Sequence, residues 1–447
     1  MKTFLLTVTV AITFAFVAFA INVKFAAKPD VAAVHVADSE IKGFSSEYIW
    51  DGVAADGSGK LMKNDPRIIL FDDFSDYGGN LNAYVKGGAD NSPKRWIGDI
   101  GRGLTLDSKE KFSGNYSLKV PIPQQSNAFG ATISQWVDAR ALRGEPMNDE
   151  AMTARGGNVN NIPADGMPLV PGVNPKEGGF EEIYARAMIK YAEGFDRYGH
   201  NGIGYSGGYF NRPNPGAGSG PAHPGSSAGY RSNGFDRWTA HAEPEHSLSQ
   251  AGSTRPGYLN IYFYGVEQIG IHGNHYFSNG QVIPSTGGDG TRPLNRTDGT
   301  NGFKALPNFK MPVGEWFCME FYVKLNTVIQ NGVSPGPNHY YSPGTSGVGN
   351  QINNAEKGST HGIGPQPAPN NAKILADGVF KVWINGKLAL CYEDIIIRHT
   401  NTMIIDYVSF FTYFGNNSAS ATSIWWDNLV VATEYIGAVN TSVSQFP

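Results

Sequence analysis

The stretch DGVFKVWINGKLALCYED, residues Asp377–Asp394, has the pattern of a β-hairpin. Apolar and polar residues alternate on both sides of the pair Asn385-Gly386. Because a two-residue turn between adjacent strands needs positive φ at both positions, Asn-Gly is the strongest short-range hairpin signal. The stretch therefore predicts two antiparallel strands that pair across this turn.

The rest of the chain repeats this strand pattern. Strand candidates follow one another from RIILFDDFSD, at Arg67–Asp76, to SIWWDNLVVATEYI, which ends at Ile436. Sequential strands without helical crossovers form antiparallel sheets. We therefore expect an all-β fold, an antiparallel β-sandwich or β-jelly roll, with long Gly- and Pro-rich loops near 202–234 and 330–371.

The composition fits a loop-rich β protein and narrows the set of partners. The 447 residues include 56 glycines, and charged residues make up 17% of the chain, below the roughly 25% of an average soluble domain. The net charge is -4 and the chain has no basic run. Neither nucleic acid nor an anionic membrane surface is therefore an expected partner.

The N-terminus has the order of an export signal. Lys2 precedes an apolar run from Phe4 to about Ile21, and small residues follow. This order predicts a signal peptide at 1–27, with an uncleaved membrane anchor as the alternative. The protein is then expected to be secreted, periplasmic or on the cell surface. Residues 28–47 are expected to form a linker, 48–440 a single domain, and 441–447 a tail.

The two cysteines, Cys318 and Cys391, are too few for a disulfide framework. Alternation in EWFCMEFYVKLN places Cys318 opposite the apolar row of its strand. The hairpin register places Cys391 across from Phe380, on the apolar face. The sequence therefore predicts that the two thiols lie on opposite faces and are not bonded to each other.

Three further strands carry aromatic, cationic and other polar residues on the side away from the core. If these strands neighbour one another, their shared face can neutralise carboxylates, carry protons and stack on sugar rings; the alternative is an ordinary solvent face. The outward sets are Tyr258, Asn260, Tyr262 and Tyr264 in YLNIYFYG, Arg237, Thr239, His241 and Glu243 in FDRWTAHAE, and Tyr184, Arg186, Met188 and Lys190 in IYARAMIKY.

The C-terminal half resembles jelly-roll polysaccharide lyases of the alginate lyase and glucuronan lyase type. The similar features are VGEWFCMEFYVKLN, the hairpin DGVFKVWINGKLALCYED with an isolated Arg398 after it, and FFTYFGN before WWDNLVV. Upstream, RAMIKYAEGFD, a Gly-rich segment, RWTAHAE and YLNIYFYG follow in the order that such lyases show. ILFDDFSD and SGNYSLKV are shared by many concanavalin A-like jelly rolls.

The resemblance implies β-elimination on an acidic polysaccharide. Such a reaction needs groups that neutralise the uronate carboxylate, accept the C5 proton and protonate the leaving oxygen. Tyr262 or Tyr264 is the expected base or acid, and His241 the expected base or carboxylate neutraliser. The expected substrate-binding residues are Arg186, Lys190, Arg237, Asn260, Tyr258, Arg398 and His200.

One position departs from the lyase pattern. Family members carry a lysine in the Gly-rich stretch before the second strand, whereas RYGHNGIGYSGGYFNR has none. His200, Tyr205 and Arg212 are the candidates to replace it. The alternative function on the same fold is a noncatalytic carbohydrate-binding (lectin-like) protein or a structural extracellular matrix or surface protein.

No cofactor is required for this chemistry, and no catalytic metal site is assigned. Four carboxylates could bind a structural Ca²⁺ if the first and last strands meet, since calcium prefers oxygen ligands. They are Asp72, Asp73, Asp76 and Asp427. The alternative is that they are ordinary aspartates at strand ends and turns.

Overall fold

Strands make up most of the regular structure in the part of the chain that the structure, a computed structural model, describes. Short 3₁₀ helices lie at Phe44–Glu47, Met62–Asn64 and Leu81–Ala83. The described residues are 43–49, 52–86, 96–98, 103–124, 129–137, 180–195, 200–208, 234, 237–245, 257–266, 274–277, 281–284, 292–293, 309–331, 373–401, 403–405, 407–414 and 421–439.

The strands span the described chain from Tyr48 to Ala432. In chain order they are β1 (Tyr48–Ile49), β2 (Val53–Ala54), β3 (Ile68–Asp72), β4 (Val85–Lys86), β5 (Trp96–Gly98), β6 (Thr105–Asp107), β7 (Ser117–Ile122), β8 (Phe129–Trp136), β9 (Glu182–Tyr191), β10 (His200–Gly208), β11 (Arg237–Pro244), β12 (Leu259–Tyr264), β13 (Asn274–Phe277), β14 (Gln281–Pro284), β15 (Arg292–Pro293), β16 (Trp316–Lys324), β17 (Val328–Gln330), β18 (Lys373–Ile374), β19 (Gly378–Ile384), β20 (Lys387–Ile395), β21 (Tyr407–Phe414) and β22 (Thr422–Ala432).

Two large sheets contain most of these strands. A ten-stranded sheet has the order β15-β14-β13-β12-β11-β10-β21-β8-β5-β4, and an eight-stranded sheet has the order β20-β19-β16-β9-β22-β7-β6, with β3 also paired to β22. Neighbouring strands are antiparallel except β4 and β5, which are parallel. The predicted all-β, antiparallel fold is confirmed.

The two sheets pack face to face around one apolar core. Trp238, Ala240 and Ala242 alternate along β11 and are buried in that core. Phe263 of the ten-stranded sheet meets Phe380 of the eight-stranded sheet with ring centroids 5.2 Å apart. The arrangement is a β-sandwich of the jelly-roll type, and each sheet has an outer face that is directed away from the core.

The hairpin predicted within Asp377–Asp394 forms as expected. Ile384 pairs with Lys387, and Asn385 and Gly386 between them have φ values of 51° and 75°. Both residues therefore adopt the left-handed conformation that a two-residue hairpin turn requires.

The predicted position of Cys391 is wrong by one residue. A register shift between Val382 and Trp383 places Cys391 opposite Lys381 instead of Phe380. Because neighbours in a strand point to opposite sides, Cys391 lies on the outer face, as Cys318 does. The two cysteines are buried and do not form a disulfide with each other, as expected, but lying on opposite faces is not the reason.

The predicted loop at 202–234 begins as a strand. Gly202 to Gly208 belong to β10, which pairs with β11 and β21. The prediction of an irregular segment there was wrong because glycines in this strand permit close approach of neighbouring groups and do not end it. Residues 209–233 and 332–371 lie outside the described residues.

The outer face of the eight-stranded sheet is covered by the chain's own N-terminal and C-terminal segments. Phe44 and Met62 pack there against Val430 and Ile436. The main-chain N–H of Ser45 donates to the carbonyl of Ile436 at 2.8 Å. We call this surface the covered face. Residues packed on it begin before the predicted domain start at 48.

The predicted signal peptide or anchor at 1–27 lies outside the described residues, as does the predicted tail at 441–447. Among the described residues, no helix has the length and apolar character needed to span a membrane.

Candidate active site

The tyrosine strand β12 lies inside the ten-stranded sheet, next to the strand that carries His241. The register places Tyr262 opposite His241 on one side and His275 on the other. These side chains and Tyr264 point away from the core, because residues that pair across strands share a face. RWTAHAE and YLNIYFYG are therefore neighbours in one sheet, so the condition for a shared outer face is met for these two strands. We call the outer face of β10–β13 and β21 the site face.

Four aromatic rings form a row on the site face. The ring of Tyr262 lies between those of His200 and His275, with centroid distances of 4.7 Å and 4.5 Å and interplanar angles of 27° and 23°. On the other side of His200 lies Tyr413, at 5.9 Å and 27°. The hydroxyl of Tyr262 is 2.8 Å from that of Tyr264, within hydrogen-bond distance. A proton can therefore pass between the two phenols.

A buried carboxylate, that of Glu243, lies beside His200 and His241. Oε1 of Glu243 is 2.7 Å from Nδ1 of His200, and Oε2 is 3.8 Å from Nδ1 of His241. The Glu243 side chain is fully buried, and a buried carboxylate is costly unless positive charge meets it. The sequence analysis placed Glu243 on this face but gave it no role. The signal was its spacing of two residues from His241 in one strand.

A second histidine–carboxylate pair lies on the far side of Tyr262. Nδ1 of His275 is 3.2 Å from Oε2 of Glu245 and 2.9 Å from Oδ1 of Asn260. Asn260, expected to bind substrate, instead orients this buried histidine. Strand β13, which carries His275, was not predicted because its four residues show no clear alternating pattern. Glu245 directly follows β11 and was given no role from the sequence.

Glycine at position 204 makes room for His241. Gly204 pairs with His241, and a Cβ at this position would lie 2.7 Å from Cδ2 of the histidine ring. Without a side chain there, the ring extends across β10 and packs against Phe411, with centroids 4.2 Å apart. Glycine at this position of β10 thus allows the observed position of the His241 side chain.

Solvent reaches the site face on the side of His200 and Tyr413. Tyr262 and Tyr264 are each 4% exposed, whereas Tyr413 is 44% exposed. The side chains of His200 and His241 lie between these values, at 16% and 12%. The phenols of Tyr262 and Tyr264 are therefore buried, and the accessible edge of the site face consists of the Tyr413 ring and the two imidazoles.

Arg186 is not part of the site face. Its strand, β9, lies in the eight-stranded sheet between β16 and β22, so the expectation that three strands line one face is wrong for β9. Arg186 is fully buried and donates to the carbonyl oxygen of Gly437 at 3.0 Å. It pairs across the strands with Glu320. Arg186 thus helps to hold the C-terminal segment on the covered face.

Lys190 and Arg398 are also away from the site face. Lys190 lies on β9 and forms an ion pair with Glu110. Arg398 follows β20, pairs with Glu181 and donates to the carbonyl oxygen of Met403 at 2.6 Å. Burial lowers the pKa of Arg398, and the charge of Glu181 opposes that shift. Both cations have structural partners.

Two predicted binding residues lie at the ends of the site strands. Arg237 begins β11 opposite Gly208, and its side chain lies outside the described residues. Tyr258 is half-buried and forms an isolated bridge with Lys310 just before β12. Tyr258 does not belong to the ring cluster around Tyr262.

The aspartates of the expected calcium site are divided. Asp72 lies opposite Leu429, is buried in the core and accepts hydrogen bonds from the Tyr77 hydroxyl and the Trp96 ring, both at 2.6 Å. Asp427 accepts the main-chain N–H of Phe112 at 2.8 Å. Burial raises the pKa of Asp427 well above its usual range. Calcium at the remaining carboxylates stays a prediction.

No protein-family model matches the sequence, and no curated protein matches it. Among solved structures, the chain is similar to alginate lyase Aly36B, with 14% identity over 83% of this chain and 97% of that one, and a TM-score of 0.41. An alginate lyase from Aplysia kurodai has 11% identity over 82% of this chain and 99% of that one, with a TM-score of 0.40. The endo-β-1,4-glucuronan lyase from Trichoderma reesei has 11% identity over 83% of this chain and 98% of that one, with a TM-score of 0.33. No residue's role follows from a likeness of this size.

Proposed function

We propose that the protein is an extracellular polysaccharide lyase that cleaves a uronate-containing polysaccharide by β-elimination. The observation that carries the proposal is the pair of phenol hydroxyls of Tyr262 and Tyr264, 2.8 Å apart and next to two histidines. Groups of these types suit proton transfer to and from carbon and oxygen.

The reaction sets three tasks for the protein. The C5 proton of the uronate leaves, the C4–O4 bond breaks, a C4–C5 double bond forms, and the leaving oxygen takes a proton. Tyr262 and Tyr264 supply a site that accepts one proton and returns another. His200 and His241, when positively charged, stabilise the negative charge that develops on the substrate carboxylate.

A noncatalytic carbohydrate-binding protein is the second candidate. The specific observation in its favour is that Tyr262 and Tyr264 are 4% exposed, while Tyr413 is open to solvent. A sugar that stacks on Tyr413 without reaching the phenols would be bound and not cleaved.

The decisive experiment is incubation of the purified protein with alginate, with glucuronan and with a neutral glucan as control. We expect ultraviolet absorbance from the new C4–C5 double bond with a uronate polymer only. Tyr262→Phe removes one hydroxyl, and the rate should fall at least about 100-fold, the typical contribution of general acid–base catalysis.

Tyr322→Phe is the matched control, because it removes a buried phenol hydroxyl from the eight-stranded sheet, where Tyr322 donates to Glu182 at 2.6 Å. Its activity should equal that of the wild type. If uronate polymers bind but no absorbance appears, the lyase proposal is wrong and a lectin-like function is favoured. Neither binding nor cleavage would leave a structural role.

A further inference from the structure

The geometry points to a binding site for a divalent transition metal, with zinc as the best-suited ion, at His200, His241 and Glu243. One donor atom from each side chain lies within 4.8 Å of the other two. In the described part of the chain, this is the one group of three or more His, Cys, Asp or Glu side chains close enough together to hold a metal ion.

The distances suit a single small ion. Zinc binds imidazole nitrogen and carboxylate oxygen at about 2.0–2.2 Å in a tetrahedral arrangement, which separates neighbouring donors by roughly 3.4 Å. The observed separations are 2.7 Å between His200 Nδ1 and Glu243 Oε1, and 3.8 Å between His241 Nδ1 and Glu243 Oε2. They lie on either side of that value. The chosen donor atoms of the two imidazoles lie within 4.8 Å of each other.

The two imidazoles are held in place by their neighbours. The ring of His200 lies between those of Tyr262 and Tyr413, and the ring of His241 packs against Phe411. His200 comes from β10 and His241 from the adjacent β11, so the ligands are attached to paired strands. Ligands that are already oriented bind a metal at a smaller entropic cost.

The charges on the site face favour a cation. Glu243 and Glu245 place two buried carboxylates there. Buried carboxylates attract positive charge, and a bound divalent ion can supply it. Two imidazoles and one carboxylate suit zinc and its transition-metal neighbours, whereas calcium and magnesium require about six oxygen ligands.

The partial exposure of both histidines leaves one side of the ion accessible, as in zinc sites with three protein ligands and an open position. An incoming carboxylate can occupy that position. If the ligand is the uronate of the proposed function, the metal supplies the positive charge that β-elimination needs. This last step rests on the proposed function, whereas metal binding itself does not.

The first test uses metal alone. Protein treated with a chelator and dialysed is titrated with ZnCl₂ by calorimetry and with CoCl₂ by visible absorbance. We expect one ion per chain, d–d bands of tetrahedral cobalt, and no binding of CaCl₂. His200→Ala should weaken zinc binding more than the roughly 10- to 100-fold that loss of an outer partner costs.

His275→Ala is the matched control, because His275 lies on the same face but outside the proposed ligand set, and it should bind one zinc with wild-type affinity. A thermal melt distinguishes loss of the metal site from poor folding of a variant. Zinc should raise the Tm of the wild type and of His275→Ala, and not that of His200→Ala. No zinc binding by the wild type at 100-fold molar excess, or unchanged affinity in His200→Ala, would overturn the site.

The second test asks what the ion does. Affinity for an unsaturated or saturated uronate trisaccharide is measured with and without zinc, with cellotriose as the neutral control. We expect zinc to tighten uronate binding at least 10-fold in the wild type and to leave cellotriose binding unchanged. Zinc binding without this effect overturns the role in uronate recognition. It leaves the lyase proposal to be decided by the double-bond assay.

Discussion

Both outer faces of the sandwich bury charged side chains, but their partners differ. On the covered face, Glu320 accepts the main-chain N–H groups of Ile436 and Gly437 at 2.8 Å and 2.9 Å, while Arg186 donates to the Gly437 carbonyl. On the site face, the groups next to Glu243 are imidazoles of His200 and His241, whose side chains are partly exposed.

The two outer faces therefore differ in what their buried charged side chains can do. The backbone N–H groups that donate to Glu320 do not titrate near neutral pH and are already used by this carboxylate, so the Glu320 charge stabilises the position of the C-terminal segment. Imidazoles that reach solvent can gain a proton, bind a metal or meet a ligand. Strand alternation places charged residues on both outer faces. What they can do depends on whether other segments of the chain cover them or solvent reaches them.

Arg186→Ala should show the largest effect and should confine it to stability. Removing the guanidinium takes away the hydrogen bond to the Gly437 carbonyl and the positive charge at the position across from the buried Glu320. Loss of a buried charge partner typically costs about 3–5 kcal/mol. We expect the urea midpoint to fall by this free energy, while zinc affinity at 10 °C stays that of the wild type. A loss of zinc binding in protein that remains folded would show that the two faces are coupled.

Asp65→Asn should loosen the N-terminal part of the covered face in a pH-dependent way. Asp65 is buried 2.7 Å from Arg67, whose guanidinium holds the pKa of this carboxyl well below its usual range. The lowered pKa means that the stabilisation is present above the unfolded value, near pH 4, and is lost as the pH falls below it. The substitution should cost about 3 kcal/mol at pH 7 and less at pH 3.

Urea unfolding at both pH values measures the effect of Asp65→Asn. Asp56→Asn is the control, since Asp56 lies on the same segment but is exposed, and its stability should change by less than about 0.5 kcal/mol. An equal loss at pH 7 and pH 3 in Asp65→Asn would mean that packing, and not the charge, attaches this segment.

The sequence predicted the strands and the faces of their residues better than it predicted their neighbours. Alternation identified Tyr262 and His241 as outward, and the Asn385-Gly386 turn specified a hairpin. Alternation could not show that β9 lies in the other sheet, because the pattern along a strand is the same on either outer face. Arg186 and Lys190 were misplaced for this reason.

Two other residues were misjudged for local reasons. Cys391 changed faces because one register shift inside β20's pairing reverses every later side chain, and no turn residue marks that position. His275 lies on β13, a strand that was not predicted because four residues are too few to show a period of two. Short strands and bulges are set by packing against neighbours that sequence order alone does not identify.

Tyr413→Ala should have the smallest effect on stability and a specific effect on binding. Tyr413 is 44% exposed, and its ring lies beside that of His200, so its loss should change stability by less than about 0.5 kcal/mol. If sugars enter the site face on this side, loss of a stacking ring worth about 0.5–1.5 kcal/mol weakens uronate trisaccharide binding by about 2- to 10-fold.

Tyr413→Phe separates stacking from hydrogen bonding, because it keeps the ring and removes only the hydroxyl. It should bind the trisaccharide as the wild type does, measured by calorimetry. Ile329→Ala, at an apolar position that is 65% exposed on β17, controls for loss of exposed surface in general and should change nothing. Weakened binding in Tyr413→Phe equal to that in Tyr413→Ala would assign the contact to the hydroxyl. Unchanged binding in Tyr413→Ala would mean that the substrate does not enter beside His200, and the accessible edge of the site face would then not be its entrance.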